Sequence, residues 1–203
     1  MAKLSIFVAA TLALAASALP SKPRTCGQVD APDFMISLQR FPDPHAAGLP
    51  GTHFSVSQEF RNGALLNSFS QVVSFNGPVG AYGCQLGLAF PESVEKFYAA
   101  TGLDGKQNPP TLNVYRIDYP VNENFNQGSY SDLKKKSGLF GTVTVRPGQQ
   151  TINSVACPTA AEGGMAFLFE IPEWIQEGHA SWDNYINARD MANSVGVFVN
   201  YDC

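Results

Sequence analysis

The chain has 203 residues, a formal net charge of −4, 15% charged residues and four cysteines. An acidic chain this poor in Lys and Arg lacks the basic footprint that nucleic acid or an anionic membrane surface requires. Its 18 Gly and 14 Pro suit many turns and few long helices.

Lys3, an uncharged apolar run over 4–16 and the small-x-small triplet Ala16-Ser17-Ala18 read as a secretory signal peptide over residues 1–18. The run is shorter than the about 20 residues a membrane span needs, and no later stretch is long enough, so no membrane insertion is expected. The end of the chain, 197–203, alternates like a strand and does not resemble a GPI tail. The expected destination is outside the cell, in the surroundings or the cell wall. Residues 19–33 are rich in Pro and polar residues and read as a linker or processed segment. Residues 34–203 read as one domain, long enough to bury a core.

Alternation predicts a first strand at 34–39, where Phe34, Ile36 and Leu38 share a face. A Pro-rich loop follows over 42–51. Phe54 and Val56 mark a strand over 53–60, and Asn62-Gly63 is a hairpin signal leading to a strand over 65–75. Cys84, Leu86, Leu88 and Phe90 fall on one side of the next strand, closed by Pro91. Val94, Phe97 and Tyr98 have helical spacing, so 92–101 is the one short helix expected. Residues 112–119 carry large side chains on both faces and predict a central strand. The polar stretch 122–136 reads as an exposed loop, and Lys134-Lys135-Lys136 as a solvated surface run. Strands are then expected at 140–146, 151–157 and 165–171. A loop over 172–183, a short edge strand over 184–188 and a last strand over 195–201 complete the chain. Nine or ten short strands predict an all-β, antiparallel β-sandwich, with a flattened barrel as the alternative.

An even number of cysteines in an oxidising compartment predicts two disulfides among Cys26, Cys84, Cys157 and Cys203. Three pairings are open. Cys84–Cys157 or Cys157–Cys203 is the favoured staple between sheets, with Cys26 taking one of those left. No Cys-x-x-Cys or Cys/His cluster supports a zinc site, and no cofactor or metal is expected.

No Gly-x-Ser-x-Gly, His-Glu-x-x-His, P-loop or GxGxxG is present. The densest group of polar and aromatic residues is 170–183. There Glu173, Glu177 and Asp183 are candidate acids or ligand contacts, His179 a candidate ligand contact, and Trp174 and Trp182 candidate platforms for a sugar face. The competing reading is a connecting loop whose tryptophans plug one end of the sandwich.

Cys84-x-Leu86-x-Leu88-x-Phe90-Pro91, then Val155-Ala156-Cys157-Pro158, then the terminal 196–203 segment resemble the fungal secreted proteins that carry the ubiquitin 3 binding protein But-two C-terminal domain. The resemblance spans about 34–203. It implies a fungal source, an all-β domain and disulfide-bonded cysteines, and it brings no catalytic motif onto these positions. The ubiquitin-pathway partner in the family's name is not carried over, because a signal peptide directs this chain elsewhere. The expectation is a secreted, monomeric, non-enzymatic protein that binds a cell-wall glycan or an extracellular or host protein. The alternatives are a small polysaccharide hydrolase using the acids above, or a structural wall component.

Overall fold

In the computed structural model, which describes residues 27–101, 103, 109–118, 128–175 and 177–203, strands follow one another with few helices. The order is β1 (Gln28–Asp30), β2 (Phe34–Phe41), β3 (Leu49–Gly51), β4 (His53–Arg61), β5 (Ala64–Phe75), β6 (Cys84–Phe90), α1 (Val94–Thr101), β7 (Thr111–Ile117), α2 (Tyr130–Lys135), β8 (Ser137–Thr144), β9 (Gly148–Val155), β10 (Met165–Glu170), β11 (Gly178–Asp183) and β12 (Gly196–Tyr201). All strand pairs are antiparallel. A four-stranded sheet runs β1-β12-β6-β9, and an eight-stranded sheet runs β11-β4-β5-β10-β7-β8, with β2 and β3 joined to it through β5. The two sheets pack as a sandwich, as the strand pattern predicts.

The inward alternation of β6 does the packing. Cys84, Leu86, Leu88 and Phe90 share one cluster with Phe54, Val73, Phe75, Phe167 and Phe169 of the larger sheet. Phe90 also takes an edge-on contact with Phe97 of α1, at 5.5 Å between ring centroids. The reverse face of β6 is occupied too. A Cβ on Gly87 would fall 2.5 Å from the Phe198 ring, so the glycine leaves room for that ring to lie across the strand. A second cluster lies on the other side of the larger sheet, where Ile36, Leu38, Val72 and Leu168 meet Leu133 of α2. Burial on both faces is why β10 is apolar at nearly every position. The expected central place of the 112–119 strand holds over Thr111–Ile117, between β10 and β8. Tyr119 lies outside the described residues.

The structure differs from expectation at several places. A three-residue β1 lies in the stretch read as linker, pairing with β12. Another short piece, β3, lies in the Pro-rich loop and pairs with β2. The polar stretch read as a loop carries α2, because Ser129 caps it and accepts from the Asp132 backbone N–H. The edge strand is Gly178–Asp183, not 184–188. Of that later segment only Tyr185 bridges backbone to backbone, with Val195, while the Asn184 side chain takes the place of a strand. Its Oδ1 accepts from Val197 N–H at 2.7 Å and its Nδ2 donates to Val197 C=O at 3.2 Å. Lastly, the Cys84–Cys157 disulfide forms, but within one sheet rather than between sheets. Cys84 pairs in register with Val155 of the neighbouring β9, and Cys157 follows two residues later.

Lys134 also departs from a solvated run. Its Nζ lies 2.8 Å from Glu170 Oε1 and 2.9 Å above the Tyr115 ring. Glu170 is 2% exposed, and Tyr130 donates its hydroxyl to Glu170 Oε2 at 2.9 Å. Burial, then the Glu170 charge, pushes the Tyr130 hydroxyl well above its ordinary pKa, so it remains a donor. Replacing Lys134 by Met leaves a buried carboxylate with one partner fewer. The expected loss is about 2 kcal/mol in urea unfolding, below the about 3–5 kcal/mol of a fully buried broken pair because Lys134 is partly solvated. Lys134→Met with Glu170→Gln should recover part of it, and additive losses in that cycle would show that the pair is not coupled.

Candidate functional site

The pairing of β5 creates a cleft. One edge of its 12 residues is covered by β2 over Ser68–Ser74. Therefore β4, on Ala64–Phe69, and β10, on Gln71–Phe75, follow each other along the opposite edge. Two strands placed end to end on one edge cannot pair with each other, and the space where they part is a cleft of about 790 Å³. Ile171 and Ile175 of the segment after β10, with Pro109 and Pro110 before β7, supply its apolar lining. Polar groups come from β4, β5 and the start of β11: Gln58, Glu59, Asn67, Glu177 and His179.

The wall at 171–175 is held by Arg40. The guanidinium donates to Ile171 C=O at 3.0 Å and to Gln58 Oε1 at 3.2 Å. Its other nitrogen pairs with Glu173 Oε1 at 2.8 Å. Gln58 in turn donates to Ile175 C=O. Gln58 occupies an inward position of β4, after Phe54 and Val56, where a polar side chain must find partners. It finds them in this wall.

The residues singled out from the sequence separate into three groups. Glu177 and His179 line the cleft. Trp174, 72% exposed, stands in the turn that forms its wall, next in sequence to Ile175. Glu173 is turned to Arg40, so its role here is to hold that turn. Asp183 and Trp182 lie elsewhere. Asp183 is at the far end of β11, where its Oδ1 is 2.8 Å from His53 Nδ1. Glu177 stands just before a six-residue strand that ends at Asp183, so the two are about 20 Å apart along it. That is too far for two acids to act on one glycosidic bond.

Trp182 is 1% exposed and offers no face to a sugar. It stacks on Phe54 with ring centroids 4.0 Å apart and planes 6° from parallel, and meets Phe90 edge-on at 5.0 Å. The cause is the alternation of β11. Ala180 and Trp182 point inward while His179, Ser181 and Asp183 point outward. That period of two is legible in 178–183 once the segment is read as a strand.

Glu59 and Asn67 were missed, because only the pairing of β11 with β4 and of β4 with β5 brings them to Glu177. The pairing Gly178↔Gln58 sets the entry to β11 beside the β4 position that carries Glu59. Asn67 Oδ1 is buried and has no hydrogen-bond partner among the described residues. The remaining histidine, His45, has its Nδ1 2.9 Å from Ser131 Oγ. Among the described residues no group of three or more His, Cys, Asp or Glu is placed to hold a metal, and no helix is long and apolar enough to cross a membrane. No family model matches the chain, and no curated protein matches it at a significant level.

Proposed function

We propose that this chain is a secreted, non-enzymatic binding protein that takes a short glycan in the cleft between β4 and β10, at a fungal cell surface or in its surroundings. The observation that carries the reading is the cleft itself. It combines an apolar lining with a polar set of side chains, and an exposed indole, Trp174, stands next in sequence to the lining residue Ile175. A sugar ring has the same two characters, an apolar face and a hydroxylated edge, and small-ligand sites are concave and mostly apolar with a few placed polar groups. The signal-peptide pattern at 1–18 and the resemblance to fungal secreted proteins supply the compartment and source.

Retention on insoluble chitin, β-glucan and cellulose tests this. Trp174→Ala is expected to weaken retention about tenfold, the equivalent of one stacking contact of about 1–1.5 kcal/mol. Unchanged retention on every matrix would exclude Trp174 as a platform.

A hydrolase is the second reading, favoured by one observation: two carboxylates, Glu59 and Glu177, line the same cleft. Release of reducing ends from the same glycans, abolished by Glu59→Gln or Glu177→Gln, would establish it. Release that survives both changes would exclude these acids.

A further inference from the structure

The charge of the cleft narrows the class of glycan. Its ionisable lining groups are Glu59, Glu177 and His179, and no Lys or Arg lines it among the described residues. Arg40, the cation that holds the wall, is spent on Glu173 and on the Ile171 carbonyl. The lining is rich in acceptors in a second, independent way. Gln58 uses its amide N–H on the Ile175 carbonyl, whereas Asn67 Oδ1 is a buried acceptor with nothing donating to it. Two carboxylates and an orphan amide oxygen call for a ligand that brings donors and positive charge. A uronic-acid or phosphorylated glycan would be repelled, and the net charge of −4 adds to that repulsion at long range.

We propose that the ligand is a cationic glycan, an oligomer of amino sugars whose amines are free and protonated. This rests on the glycan reading above. The apolar lining and Trp174 receive the ring faces. Glu59 and Glu177 pair with ammonium groups on successive or alternate rings, and Asn67 Oδ1 accepts from a hydroxyl or ammonium N–H.

Calorimetric titration of the mature chain separates the possibilities. The probes are hexamers of glucosamine, N-acetylglucosamine and β-linked glucose, plus a lysine hexamer, at about pH 6 and low ionic strength. The glucosamine hexamer is expected to bind at least about tenfold more tightly than the other two sugars. Glu59→Gln and Glu177→Gln should each weaken it about fivefold, as for one solvent-accessible ion pair, and so narrow the preference over the acetylated hexamer. Raising the salt to about 0.5 M should remove most of the preference. Equal binding of the acetylated or glucose hexamer would overturn the cationic inference and leave the glycan reading standing. Failure of every sugar to bind, with a native circular dichroism spectrum, would overturn both. A lysine hexamer that binds as tightly as the glucosamine hexamer, and is indifferent to Trp174→Ala, would make the ligand a basic peptide and overturn the inference.

Discussion

Replacing Trp182 by Ala is expected to cost about 3–5 kcal/mol of unfolding free energy, the range for deleting a large buried aromatic side chain. That is a large share of the about 5–15 kcal/mol typical of a whole domain. The indole joins both sheets, stacking flat on Phe54 of β4 and meeting Phe90 of β6 edge-on, so truncation removes contacts on two sides at once. The surroundings are poorly placed to collapse into the space. Gly196 sits beside the ring at φ +115°, and a Cβ there would fall 2.8 Å from Trp182 Nε1 and 1.9 Å from Asn184 Oδ1. The backbone has therefore already closed on the indole as far as it can. Trp182→Phe should cost much less, because it keeps the stacking and removes a buried N–H that has no partner among the described residues. Urea unfolding followed by far-ultraviolet circular dichroism measures both. An Ala variant within about 1 kcal/mol of the parent would show that this ring does not hold the sheets together.

The second large effect concerns the Cys84–Cys157 bridge. Its cysteines are 73 residues apart, and a loop of that size corresponds to about 4 kcal/mol in the chain-entropy account of cross-links. The double change Cys84→Ala and Cys157→Ala should lower stability by about that amount. The loss should not be spread evenly. The strand held by the bridge, β9, is an edge strand with half-exposed alternation, and its partner β6 is anchored on its other side by β12. Native-state hydrogen exchange should therefore show β9 amides opening first, while β6 and β12 stay protected. Uniform loss of protection would contradict this placement of the bridge. Cys203 is also disulfide-bonded, and no described cysteine is free. Cys26 lies outside the described residues. Peptide mapping without reduction is accordingly expected to return Cys26–Cys203 beside Cys84–Cys157.

Most strands were legible because their cause is local. The runs Cys84-Leu86-Leu88-Phe90 and Met165-Phe167-Phe169 alternate with a period of two, and a strand with one face in a core needs nothing more to announce itself. Asn62-Gly63 marked its hairpin for the same reason, both residues taking positive φ, 52° and 79°. The misreadings fall where a distant partner decides. Gly178–Asp183 looked like a loop because Trp, His and Glu crowd together there, yet β4 pairs with it and turns Trp182 inward. Lys134 looked solvated within a basic triplet. It is held by Glu170, 36 residues away in sequence.

The sequence by itself determined the all-β class and the alternation that builds both sheets, because each depends on neighbours within a few residues. Only the tertiary structure decided which side chains share a site. It removed Trp182 and Asp183 from the candidate group, gave Glu173 to Arg40, and brought Glu59 and Asn67 to Glu177 and His179. The physical reason is the single edge of β5. Two strands far apart in the chain, β4 and β10, must use that edge one after the other, and the gap this leaves is a property of pairing that no local pattern encodes.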